Sequence, residues 1–204
     1  MAKRRYEQRL RAETAEETRR RILDAVYERL REAPSQPVSV DRIARMAGVA
    51  RSTVYLVFGS RAGLFDALGD DLLRRDAYGR LLDAVAHPDA RESLRRGMRA
   101  GCEMFAGARD VARALYSMAQ LDEEAVGGAV RRFEEERTRG MARLARRLAE
   151  QDVLLPGVTA GEAADLLWVL TSFESFDLLY TGRGLSVDEV AEALVTAAER
   201  SLCR

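Results

Sequence analysis

The side chains best suited to chemistry stand between residues 39 and 61. The run SVDRIARMAGVARSTVYLVF (39–58) places Arg51, Ser52, Thr53 and Tyr55 within five positions, and Arg61 follows shortly after. Arginine forks and hydroxyls are hydrogen-bond donors of the kind that meet phosphate oxygens and base edges, so this set points to a polyanion. It does not point to catalysis. The single histidine, His87, precedes Pro88 and has Ala84 three residues before it, so ExxH pairs for a di-iron bundle are absent, as are Ser-His, Cys-His and phosphate-loop arrangements. Cys102 and Cys203 stand far apart with no CxxC, which indicates neither a disulfide framework nor a zinc site. No metal, no cofactor and no catalytic residue is expected.

Such donors must be held by a rigid unit, and the spacing within 39–58 supplies one. Two short helices that cross closely need a small residue on the first, a residue tolerating positive φ in the turn, and a branched apolar residue on the second. Ala44, Gly48 and Val54 meet these needs. The run therefore reads as a helix-turn-helix whose second helix offers its N-terminal residues to the DNA major groove. Charge agrees: the chain has 33 basic and 33 acidic residues, but residues 1–61 hold 14 Lys/Arg against 8 Asp/Glu and the remainder 19 against 25. The front is basic and the body acidic, which favours a polyanion partner for the front alone.

Glycine and proline punctuate long segments with three-to-four residue apolar spacing, and no period-two alternation is sustained, so the chain is expected to be all-α with about nine helices. Thr14 and Glu17 form a capping-box signature ahead of Ile22, Val26 and Leu30, placing a first helix at about 15–32. Short helices follow Ser39 and begin near Arg51. Further helices are expected at about 61–86, from Pro88 to 107, 111–118, 122–151, 159–181 and 186–202, the last capped by Ser186 with Glu189. The longest apolar stretch, 163–173, contains Asp165 and is too short for a bilayer, and no apolar stretch follows the basic N-terminus, so a cytoplasmic protein without a membrane partner is expected.

Val40-Asp41-Arg42-Ile43-Ala44, Ala47-Gly48-Val49, Thr53-Val54-Tyr55, Phe58-Gly59-Ser60-Arg61 and Gly63-Leu64-Phe65 together resemble the DNA-binding signature of the TetR family of repressors. The likeness is dense over residues 14–68 and architectural beyond. It implies a three-helix DNA-binding domain at 1–60 and a larger helical effector-binding and dimerisation domain at 61–204. It also implies a homodimer on a pseudo-palindromic double-stranded operator. Arg51 and Ser52 would reach base edges; Thr53, Tyr55 and Arg61 would contact phosphates, with Ser39 completing the set. Apart from that resemblance, Arg4 and Arg5, in the basic stretch from Lys3 to Arg11, are suited either to an arm along the DNA, as in other DNA-binding domains, or to a solvated tail. The sequence departs from the family at Ala50, where a Ser or Thr cap is usual, and at Leu56 and Val57, which replace a polar or aromatic pair.

In the body, Leu166, Leu170, Phe173, Phe176, Val190 and Leu194 on the two C-terminal helices are the expected dimer interface. Met98, Cys102, Phe105, Tyr116, Met118, Met141 and Trp168 are the expected lining of a pocket for a small apolar or amphipathic effector of unknown identity. The function implied is a ligand-responsive transcriptional regulator, a repressor in this family. Two alternatives stand beside it: a binding or adaptor protein that has lost DNA recognition, supported by Ala50, Leu56 and Val57, and an all-α enzyme.

Overall fold

The computed structural model describes residues 2–34, 36 and 38–204, with side chains described from residue 13 onward. Eleven α-helices form among these residues and no strand: α1 (Ala2–Glu32), α2 (Val40–Met46), α3 (Arg51–Phe58), α4 (Arg61–Leu72), α5 (Asp76–Val85), α6 (Ala90–Gly107), α7 (Arg109–Leu121), α8 (Gly128–Glu150), α9 (Ala160–Leu170), α10 (Phe173–Tyr180) and α11 (Val187–Leu202). A π-helical turn, Glu123–Gly127, joins α7 to α8. Among the described residues no helix is long and apolar enough to cross a membrane.

The chain forms two compact units, Met1–Asp71 with Arg113–Val130, and Leu72–Ala112 with Arg131–Arg204. In the first, Ile22, Val26 and Leu30 recur every fourth residue of α1 and are fully buried, as are Ile43 of α2 and Phe65 and Leu68 of α4. Asp122 caps the π-turn by accepting the Ala125 N–H at 3.3 Å.

In the second unit the Phe105 ring stands 6.3, 5.5 and 5.8 Å from those of Phe133, Phe173 and Phe176, so α6, α8 and α10 share one aromatic cluster. Arg147 of α8 donates to the Val85 carbonyl at 3.0 Å and to the Ser93 hydroxyl at 3.2 Å, and Gln151 accepts the Ala90 N–H at 2.8 Å. These bonds fix the turn between α5 and α6.

The helix count of eleven exceeds the nine expected because two expected helices are each broken. The segment 61–86 divides at Leu73–Arg75, where Arg75 takes an extended conformation ahead of α5, and the two halves pack in different units. The segment 159–181 divides at Thr171–Ser172. There the Thr171 hydroxyl donates to the Leu167 carbonyl at 2.7 Å, Ser172 caps α10 by accepting the Ser175 N–H, and Ser175 donates to the Val169 carbonyl at 2.7 Å. Side-chain hydroxyls take over backbone partners, as Ser and Thr readily do. The first helix starts at Ala2 rather than near residue 15: residues 2–13 are rich in Ala, Arg, Glu and Gln, strong helix formers, so Thr14 lies inside the helix and its carbonyl accepts the Thr18 hydroxyl at 2.9 Å.

Candidate nucleic-acid interface

Ser39 adopts an extended conformation and its hydroxyl accepts the Arg42 N–H at 3.2 Å, which starts α2. Val40, Ile43 and Ala44 then face inward. Gly48 turns the chain with φ of +64°, a conformation costly for a residue with a Cβ, and the Val49 N–H returns to the Ala44 carbonyl at 2.9 Å. Helix α3 follows with Val54 and Phe58 buried, which leaves Arg51, Ser52, Tyr55 and Leu56 on its outer side. Ala50 has the extended backbone of a cap but no side chain to make one.

Beyond α3, the Ser60 hydroxyl accepts the Gly63 N–H at 3.0 Å and opens α4. A Cβ on Gly63 would lie 2.1 Å from the Phe58 carbonyl oxygen, so only glycine lets the two helices meet this closely.

The outer face is organised by ion pairs within the unit. Arg51 donates to Asp41 at 3.3 Å and to the Tyr55 hydroxyl at 3.4 Å, and its guanidinium lies 5.6 Å from the Tyr55 ring centre. The Tyr55 hydroxyl, then Asp41, hold the Arg51 pKa above its ordinary range, and the side chain remains a cation. Arg61, at the start of α4, pairs with Asp122 and lies 5.4 Å over the Phe65 ring. Its hydrogen bond lowers the Asp122 pKa. Thr53 is half-buried. The expected contacts thus fall into an outward group, Ser39, Arg51, Ser52 and Tyr55, and a half-buried pair, Thr53 and Arg61. The Arg4 and Arg5 side chains lie outside those described. Asp41, Ser60 and Asp122 were not anticipated. Ser60 was legible as a serine three residues ahead of Gly63, whereas Asp122 lies 61 residues from its partner with no local sign of the pairing.

A cavity of about 110 Å³ lies in the second unit. Met98, Cys102, Phe105 and Met141 line it, with Tyr78, Gly101, Leu167 and Phe176 among their neighbours. Burial, then Glu103, pushes the Cys102 thiol up to about 11, so it stays protonated at neutral pH. Tyr116 and Met118 do not line it; they fall in the first unit. Trp168 does not either: it is 43% exposed, and Arg137 stacks 4.7 Å from its ring centre. Arg137, itself on the cavity wall, is neutralised by Glu134 and donates to the Trp168 carbonyl and, at 3.3 Å, to the Thr171 hydroxyl. Of the residues expected at a dimer interface, Phe173, Phe176, Val190 and Leu194 are buried inside the single chain, and Leu166 and Leu170 are half-buried. The apolar groups left at the surface of α9 and α10 are Trp168, Val169 and Leu178.

Residues 22–68, which contain the whole helix-turn-helix, match the family model of the bacterial regulatory proteins of the tetR family. Over residues 22–68 the chain carries a tetR-family regulatory domain. Its structure is similar along almost its whole length to that of NalD from Pseudomonas aeruginosa, described as the secondary repressor of the MexAB-OprM multidrug efflux pump, with 26% identity over 94% of this chain and 98% of that one and a TM-score of 0.72. A second NalD structure gives 25% identity over the same shares and a TM-score of 0.69. A TetR transcription regulator from Haloarcula marismortui shares the fold at 18% identity, covering 91% of this chain and 98% of that one, with a TM-score of 0.73. None of the curated proteins matches the chain. With its TetR-family domain, the chain has the fold of a transcriptional regulator of that family.

Proposed function

We propose that this chain is a transcriptional repressor that binds a pseudo-palindromic operator as a homodimer and releases it when a small apolar or amphipathic molecule enters the cavity of its second unit. The carrying observation is the outer face of α3, where Arg51, Ser52 and Tyr55 stand exposed on a helix pinned from behind by Val54 and Phe58. One such helix reads only a few base pairs, so useful specificity calls for two. Trp168, Val169 and Leu178, exposed on α9 and α10, supply the apolar surface a second copy would cover. The likeness to NalD, a repressor, supports the direction of regulation.

The cavity supports effector binding by its character: methionine, phenylalanine and leucine line it, and its buried arginine is already neutralised. At about 110 Å³ it is smaller than the roughly 300–1,000 Å³ typical of ligand pockets, so a drug-sized effector requires Met98 and Met141 to move, which flexible thioethers allow.

Selection of bound duplexes from a random pool by the full-length protein tests the reading. A recurring palindromic site with affinity falling steeply with salt is expected; for about 6–10 phosphate contacts the loss from 50 to 200 mM salt is roughly 10³–10⁵-fold. The 86% exposure of Leu56 on α3 favours a second reading, an adaptor whose α3 meets protein, and absence of duplex binding at low salt would select it.

A further inference from the structure

Asp41 presents a puzzle for a surface that meets DNA. It lies in the first turn of α2, its side chain is 59% exposed, and its negative charge stands beside Arg51 on the face proposed to meet phosphates. An exposed ion pair adds little to stability, so its bond to Arg51 is no sufficient reason for it. Its effect falls on the geometry of Arg51. The guanidinium is held at one terminal nitrogen by Asp41 at 3.3 Å and at the other by the Tyr55 hydroxyl at 3.4 Å. Each terminal nitrogen carries two N–H groups, so each keeps one for a base. An arginine with two such partners has fewer orientations to lose on binding than an unrestrained one, which can swing to any phosphate.

From this geometry, and resting on the DNA-binding reading above, we infer that Asp41 is a positioning residue that aims Arg51 at one guanine in each half-site and repels the backbone phosphate that would otherwise capture it. The carboxylate therefore exchanges non-specific affinity for discrimination, a repulsive device serving specificity. A bidentate arginine contact separates guanine from the other bases by about 5- to 150-fold, and that factor is what Asp41 governs.

The test compares the full-length protein with Asp41→Asn, Arg51→Lys and the double variant, on the selected operator, on operators changed at one base pair per half-site, and on random duplex. Asp41→Asn keeps the size and an acceptor oxygen while removing the charge, and its thermal midpoint checks that the fold persists. The expected result is a selective one. Discrimination at a single base pair per half-site falls by about tenfold, the other positions keep theirs, and affinity for random duplex rises. Arg51→Lys, which keeps the charge but loses the fork, should lose discrimination at that same base pair, and adding Asp41→Asn to it should change that discrimination no further.

Equal discrimination by Asp41→Asn and the natural protein would overturn the inference, as would a uniform loss of affinity for every duplex. A natural protein that binds no duplex even at low salt would instead remove the DNA-binding reading itself. That outcome is recognisable before any variant is made.

Discussion

Under the proposed function, Arg51 and Arg61 would both meet DNA, and their different surroundings suit them to different work. Arg51 opens α3 on the outer face, whereas Arg61 is a third exposed, anchored by Asp122 and lying over Phe65. A side chain that offers solvent so little of its fork, against 60% exposure for Arg51, suits a phosphate, where charge matters and base identity does not. Arg51→Ala is therefore expected to relax preference at one base pair per half-site, a change of about 1–3 kcal/mol, while Arg61→Ala weakens all duplexes alike and lowers the salt slope by about 1. Affinities across a set of single-base operator variants at several salt concentrations separate the two, and identical behaviour would disprove the division. The outward position of Arg51 was legible from Val54 and Phe58, which fix the inner face of α3. The Asp122 contact was not, because it joins residues 61 apart through a π-turn with no sequence signature.

At the scale of elements, capping chemistry accounts for what the sequence disclosed and what it hid. Ser186 and Glu189 form a reciprocal box at the start of α11, as their spacing indicates, and Thr159 with Glu162 does the same for α9. Thr14 and Glu17 carry an equivalent signature, but the helix formers before them continue the helix, and the box goes unused. The break at Thr171–Ser172 lacks Gly or Pro and depends on hydroxyls that find carbonyl partners only once the helix has bent.

Two predictions belong to this scale. Ala50 already has φ of −72° and ψ of 149°, the backbone of a cap, so Ala50→Ser should stabilise α3 by about 1 kcal/mol and raise the thermal midpoint by about 2–4 °C. Glu189 accepts the Ser186 N–H, which lowers its pKa from the ordinary 4.5. A carboxylate with a depressed folded pKa contributes its stabilisation fully above its unfolded value and loses it as pH falls. The difference in thermal midpoint between the natural protein and Glu189→Gln should therefore be constant near neutrality and shrink below about pH 4.5; a difference unchanged down to pH 3 would show that the carboxylate's charge plays no part in the cap.

For the molecule as a whole, the proposed repression and release form one linked equilibrium. A hundredfold loss of operator affinity requires the effector to favour the non-binding conformation by about 2.7 kcal/mol, and the operator must weaken effector binding by the same factor. Helices α7 and α8 each have residues in both units, and α8 is the one that also lines the cavity, through Phe133, Arg137 and Met141, so such linkage can run along it. Gly101 offers the means of separating occupancy from folding. It lines the cavity from α6, and a Cβ built on it meets nothing within 4 Å, so Gly101→Leu can fill the space while replacing a helical glycine with a stronger helix former. This variant should bind the selected operator as the natural protein does and should no longer respond to a compound that, in a thermal-shift screen of small apolar molecules, stabilises the natural protein. Retained release by that compound from Gly101→Leu would place the effector elsewhere, and loss of operator binding with the fold intact would mean that filling the cavity itself selects the released conformation.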